Sequence, residues 1–159
     1  RIGGDSIGGL YAAVTTWQLR RDTPSLGPAA QVLLYPNTDL QDSRAFASLA
    51  ENDGRIMTRK SLFYEADQSV PRHADRRLPT VSPLLAPDLA GLPPTFLATC
   101  EADPLRDEGE AYAQRLADAG VPLEHKRYDG MIHAFLQMGA RIDRTAKLMS
   151  DIDAFLHAR

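Results

Sequence analysis

The sequence has a single cysteine, Cys100, in 159 residues, so no disulfide can form within the chain and no multi-thiolate zinc site can be built. It has no apolar run near the roughly 20 residues that span a bilayer, and its opening Arg1-Ile2-Gly3-Gly4-Asp5 resembles no secretory signal. It has no large excess of one charge. The 18 Lys+Arg against 21 Asp+Glu leave a net −3, which gives no electrostatic footprint for a phosphate backbone or an anionic lipid surface. Nucleic acid and membrane are therefore poor partners, and a small molecule or another protein fits better. No repeat, low-complexity tract or starting Met is present, and a Gly-rich turn at position 3 reads as the middle of a longer chain. What is present, 43% hydrophobic and 25% charged residues, is the profile of one globular domain held by its core.

The apolar pattern predicts an α/β fold. Residues 7–21 carry Leu10, Ala13, Val14, Trp17 and Leu19 at spacings of three and four and close on Arg20 and Arg21, as suits the C-terminus of a mostly buried helix. Residues 31–35 (Gln-Val-Leu-Leu-Tyr, stopped by Pro36) and 95–100 (Thr-Phe-Leu-Ala-Thr-Cys, entered through Pro93-Pro94) have the short, apolar form of strands buried on both faces. Residues 123–128 alternate more and belong nearer an edge. Residues 108–119 place Ala111, Tyr112, Arg115, Leu116 and Ala119 on a helical period that stops at Gly120, and residues 143–157 do so with Leu148, Ile152, Phe155 and Leu156. Strands alternating with helices imply a parallel sheet covered by helices. Residues 40–94, rich in Asp, Arg, Pro and Ser and with one clear helix around 58–67, break this rhythm as an excursion able to line a pocket.

Gly4-Asp5-Ser6-Ile7-Gly8 fits G-x-S-x-G, a pattern in which a strand turns abruptly into a helix and leaves a serine hydroxyl at the carboxyl edge of the sheet. The following helix aims its unpaired N–H groups, that of Ile7 first, at an oxyanion formed there. A serine needs a base and a group to orient that base. Of the four histidines, His73, His125 and His157 read as solvated or incidental. His133, in the loop 129–135 after a predicted strand, has the address at which α/β folds gather functional groups. Asp103 has the same kind of address after the strand 95–100. Ser6, Asp103 and His133 thus stand in the order Ser, Asp, His.

Together, Gly4-Asp5-Ser6-Ile7-Gly8-Gly9, Asp103-Pro104-Leu105-Arg106-Asp107-Glu108-Gly109 and Tyr128-Asp129-Gly130-Met131-Ile132-His133-Ala134-Phe135 resemble the hormone-sensitive-lipase-like (bacterial family IV) esterases of the α/β-hydrolase fold, over essentially the whole chain. The resemblance implies Ser6 as nucleophile, His133 as base and then acid, and Asp103 as the carboxylate that holds it. It implies hydrolysis of short to medium acyl esters, with neither metal nor cofactor. Ile7 stands where the family usually has Ala, and Ala134 where it usually has Gly; Ile7 adds bulk beside the nucleophile and narrows the acyl pocket. Phe63, Tyr64 and Leu84, with Met131, Ile132 and Phe135 around the histidine, are candidates for that pocket and equally for ordinary core. An acyl-peptidase or amidase on the same residues, and a non-catalytic ligand-binding fragment, stay open as alternatives. A homodimer also stays open, and the 15 arginines against 3 lysines are compatible with a bacterial cytoplasmic enzyme.

The family's His-Gly-Gly-Gly run, which supplies the other oxyanion donors, is absent. Losing one such donor costs about 3 to 4 kcal/mol of transition-state stabilisation. Residues 1–159 are accordingly expected to be one catalytic domain without its N-terminal part, starting at the turn and lacking the strand before it, so that the strand 31–35 is an unpaired apolar edge. The remaining polar residues are expected to be structural. Arg106 and Asp107 form an ion pair that steadies the Asp103 loop, Asp5 hydrogen-bonds under the turn, and Glu51-Asn52 orders the excursion. Cys100 is an inert core thiol, and Asp151 and Asp153, two apart on a helix, make no metal site.

Overall fold

The computed structural model describes residues 1–41 and 46–158. Four parallel strands run in the order β1 (Ile2–Asp5), β2 (Gln31–Leu34), β3 (Thr95–Ala102) and β4 (Leu123–Ile132). The helices are α1 (Ile7–Asp22), α2 (Ser48–Glu51), α3 (Arg59–Ser69), α4 (Arg106–Asp118) and α5 (Arg144–His157). Side chains alternate across the sheet as a strand requires. Leu33 and Leu97 point to a cluster with Ala13 and Trp17 of α1 and Tyr112 and Leu116 of α4. Leu34, Phe96, Ala98 and Cys100 point to the opposite cluster with Phe135 and with Leu148 and Phe155 of α5. The sheet is thus covered on both faces, which is why its inner strands read as unbroken apolar runs.

Two expectations change. The strand leading into Ser6 is present: Ile2–Asp5 pairs with Gln31–Leu34, so the strand at 31–35 is interior and β1 lies at the edge. The sequence hid it because Ile2-Gly3-Gly4-Asp5 offers little to an apolar-run criterion; at Gly3 a Cβ would sit tightly, 3.1 Å from the Val32 carbonyl oxygen and 3.2 Å from Val32 Cβ. The last strand also runs on past Tyr128 to Ile132. Its register against β3 jumps between Cys100 and Ala102, the added residues include Gly130 at φ 74°, and Gly130 N–H donates to the Glu101 carboxylate at 2.6 Å. The irregularity lengthens β4 relative to β3 and brings His133 past the end of the sheet beside Asp103.

Residues 46–94 form short pieces rather than one helix: α2, α3 and two 3₁₀ turns, His73–Arg77 and Pro83–Leu85. They are tied to the sheet layer. Arg76, 1% exposed, donates to the Val70 carbonyl and the Asp67 carboxylate, and Ser82 Oγ accepts from Leu40 N–H while donating to the Arg76 carbonyl. Among the described residues no helix is long and apolar enough to cross a membrane.

Candidate active site

At the carboxyl end of β1 the backbone turns at Ser6 with φ 53° and ψ −123°, a conformation that costs a non-glycine residue of order 1–3 kcal/mol and persists only where its surroundings enforce it. Those surroundings are visible. Ser6 N–H continues the ladder to the Leu34 carbonyl at 2.9 Å, and the Ser6 carbonyl accepts from Gly9 N–H at 3.0 Å and Asn37 N–H at 3.3 Å. A Cβ at Gly4 would lie 2.3 Å from the Gly8 carbonyl, and one at Gly9 would lie 2.7 Å from Pro36 Cβ. The tightest steric demands therefore fall on Gly4 and Gly9; a Cβ at Gly8 would meet nothing closer than 3.9 Å.

The three residues from separate loops meet in one line. His133 Nε2 lies 2.9 Å from Ser6 Oγ, and His133 Nδ1 lies 2.8 Å from Asp103 Oδ2. Neutral imidazole satisfies both contacts when Nδ1–H donates to the carboxylate and Nε2 accepts from the serine hydroxyl. Asp103 is 0% exposed and His133 3%, so both partners work in a medium where hydrogen bonds to charge are strong. The other Asp103 oxygen accepts from Leu105 N–H at 2.8 Å, and the Asp103 carbonyl accepts from the Asn52 amide at 3.3 Å. The His133 ring is held edge-on by Tyr35 with centroids 4.9 Å apart. After His133 the chain enters the left-handed region at Ala134, φ 61°, the conformation a glycine would accept more readily.

The surrounding polar residues keep these loops in place. Arg106 bridges Asp107 and Glu51, each at 2.8 Å, while Asp107 accepts from Ser48 N–H, so α2 is pinned to the Asp103 loop. The Glu51-Asn52 pair therefore serves that loop and not the excursion alone. Asp5 accepts from Gln137, joining the turn at Ser6 to the segment after His133. The remaining histidines bond elsewhere: His125 to Thr99 Oγ1, His157 to the Asp153 carbonyl, and His73 beside Asp67. Burial lowers the His125 pKa and pushes the Cys100 thiol up, keeping both uncharged.

A cavity of about 340 Å³ opens beside Ser6, walled by Ile7 and Tyr11 of α1, Asn37 and Leu40 after β2, Met57, and Leu62, Tyr64 and Ala66 of α3. Of the six pocket candidates, Tyr64 lines it. Leu84 packs with the cluster under α1 and α4, Phe135 is fully buried in the opposite cluster, and Met131 packs against that same cluster. Phe63 and Ile132 are half-buried outside the cavity wall. Among the wall residues the sequence reading missed, Leu40, Met57, Leu62 and Ala66 lie in the excursion; the Leu62, Ala66 spacing on α3 is the signal that could have found those two. Tyr35 was missed because a strand-end aromatic gives no sign of which ring it will meet.

A family profile for the alpha/beta hydrolase fold matches residues 1–137. A carboxylic ester hydrolase of Mycobacterium tuberculosis is 35% identical, the match covering 98% of this chain and 43% of that protein. An arylesterase of Saccharolobus solfataricus is 55% identical over 84% of this chain and 43% of its own length. The solved structure of a hyperthermophilic esterase from the archaeon Pyrobaculum calidifontis superposes with a TM-score of 0.87 at 36% identity, covering 96% of this chain and 50% of that one. The chain thus spans about half the length of the relatives it matches. With its elbow, sheet and matching profile, the chain belongs to the alpha/beta hydrolase fold family, in the hormone-sensitive-lipase-like group that its motifs resemble.

Proposed function

We propose that the protein of which this chain is part is a serine carboxylic ester hydrolase acting through an acyl-enzyme. The observation that carries the reading is the hydrogen-bonded line Ser6, His133, Asp103 at 2.9 and 2.8 Å, with Ser6 in an enforced backbone conformation beside an apolar cavity. Ser6 Oγ attacks the ester carbonyl carbon as its proton passes to His133 Nε2. The resulting imidazolium is stabilised by the Asp103 carboxylate through Nδ1–H. The negative charge on the carbonyl oxygen faces the first turn of α1, where Ile7 N–H has no intrahelical acceptor. The tetrahedral intermediate collapses, His133 protonates the leaving alcohol, and the acyl group stays on Ser6. Water, deprotonated by His133, then attacks the acyl carbon; the bond to Ser6 Oγ breaks, His133 returns the proton to Oγ, and the acid leaves.

In this reading the further oxyanion donors, which the family draws from a His-Gly-Gly-Gly run, come from residues outside these 159. Short to medium acyl groups fit a cavity of this size and the bulk of Ile7 in its wall. A bacterial, cytoplasmic setting and a homodimer belong to the same proposal and are read by fractionation and light scattering.

The test is hydrolysis of p-nitrophenyl butanoate by the whole protein and by its Ser6→Ala variant. Turnover lost in Ser6→Ala supports the reading, and turnover that persists in Ser6→Ala at the wild-type rate overturns it. An anilide cleaved as fast as the matching ester would instead favour an amidase or acyl-peptidase.

A further inference from the structure

A second, smaller cavity of about 120 Å³ lies against the first. Its wall is apolar: Leu10, Val70 and Val81, with Thr80 at the rim. The two cavities share Ile7, Tyr11, Leu40 and Ser69, but Ser6 borders only the larger. These four shared residues border both cavities. Ile7 and Tyr11 stand one turn apart on the same face of α1, Leu40 faces them from the loop after β2, and Ser69 closes α3. Ile7 is the member adjacent to Ser6, and at 41% exposed its branched side chain projects into the cleft and away from the core.

We infer that Ile7 is a specificity-determining residue that divides one apolar cleft into two compartments, confining the acyl arm of the substrate to the compartment beside Ser6. The inference rests on the esterase reading above. Removing the side chain beyond Cβ joins the compartments while leaving the Ile7 N–H in place, so acyl length preference changes and the nucleophile does not. An alkyl chain that crosses the former partition gains contact with Leu10, Val70 and Val81. Each methylene so buried is worth about a fourfold gain in the rate constant for reaction at low reagent concentration. Because Ile7 is exposed on the first turn of a helix, Ile7→Ala removes little from the core and is expected to fold as the wild type does.

The experiment is single-turnover phosphonylation of Ser6 by a series of p-nitrophenyl alkylphosphonates from methyl to octyl, followed by nitrophenol release and intact mass. Wild type is expected to react best with short chains, and Ile7→Ala to favour longer ones by about fourfold per added methylene until the second compartment is filled. Ile7→Ala/Thr80→Phe, which refills that compartment from its rim, is expected to restore the short-chain preference, and Met149→Ala, on the exposed face of α5, to leave the profile as in wild type. Labelling of Ser6 with an unshifted chain-length profile in Ile7→Ala overturns the partition and leaves the esterase reading standing. Failure of every reagent to label Ser6 in the wild type overturns the esterase reading, and the partition falls with it.

Discussion

Two of the buried carboxylates among the described residues are handled in opposite ways. Asp103, 0% exposed, accepts one backbone N–H from Leu105 and faces the imidazole of His133, a ring whose charge changes with a single proton. Asp151 of α5, 6% exposed, accepts from Lys126 Nζ and Tyr128 OH, each at 2.8 Å, and from Lys147. Burial raises the Asp151 pKa, but the two ammonium groups and the phenol overcome it and leave the carboxyl pushed down to about 2. Asp151 is thus fixed as an anion by permanent cations and clamps α5 onto β4. Asp103 is placed where a charge can appear and disappear. The difference separates a structural anion from one that can serve turnover; the sequence marks Asp103 by its motif after a strand, whereas Asp151 shows there only as an acidic residue in mid-helix.

The largest expected effects test that separation. Ser6→Ala and His133→Ala should abolish ester turnover, and Asp103→Asn should lower it about 10³- to 10⁴-fold, because an amide cannot hold the imidazole in the same tautomer or offset its charge. Asp151→Asn should leave kcat close to wild type. Asp107→Asn is the closer control: it loses the Arg106 contact and should cost about 1 kcal/mol of stability with little loss of kcat. If Asp107→Asn silences turnover and Asp103→Asn does not, the assignment of the carboxylate is reversed.

Stability should rank the two carboxylates the other way. Asp151→Asn takes the anion from Lys147 and leaves Lys126 only Glu124, and should lower stability by about 2 kcal/mol, or roughly 4–8 °C in Tm. The sign of its pH dependence follows from the lowered pKa. The contribution is fully present above the ordinary 3.8, declines as the carboxyl protonates, and is lost as pH falls through about 2. Urea unfolding of wild type and Asp151→Asn should therefore differ at pH 7 and converge at the acid end. A gap that stays constant from pH 7 to the acid limit would remove the ion-pair account.

How much of this was legible beforehand depends on the kind of information each residue carries. Ser6, Asp103 and His133 were readable because each sits in a short motif next to a strand end, and β2, β3, α1, α4 and α5 were readable because burial leaves a periodic apolar trace. The Ile2–Asp5 strand was not, since its middle residues are Gly3, packed close against Val32, and Gly4, and glycine leaves no apolar trace. Nor was the wall of the cavity. Phe135 and Leu84 are as apolar as Leu40 and Leu62, and only the path of residues 46–94 decides which of them face Ser6 and which face the sheet. The clamp on Asp151 is not legible because a metal-spacing test has nothing to say about a lysine arriving from β4.

The two ends also differ in backbone strain, and the smallest expected effect probes it. Among the described residues the non-glycine positions with positive φ are Ser6, Tyr35, Ile56 and Ala134, three of them at the Ser6 and His133 site and none in the Asp151 clamp. For Ala134, at φ 61° and ψ 19°, the left-handed conformation costs about 1–2 kcal/mol that glycine does not incur. Glycine in turn gives up about 0.4–1 kcal/mol through the freer unfolded chain. Ala134→Gly should therefore stabilise the protein by about 0.5 kcal/mol, a rise of roughly 1–2 °C in Tm, with His133 held by Asp103 and Tyr35 as before and turnover unchanged. A stabilised variant with reduced kcat would mean that the strained alanine itself aims His133 at Ser6, and a destabilised one would mean that its methyl packs well enough to outweigh the strain.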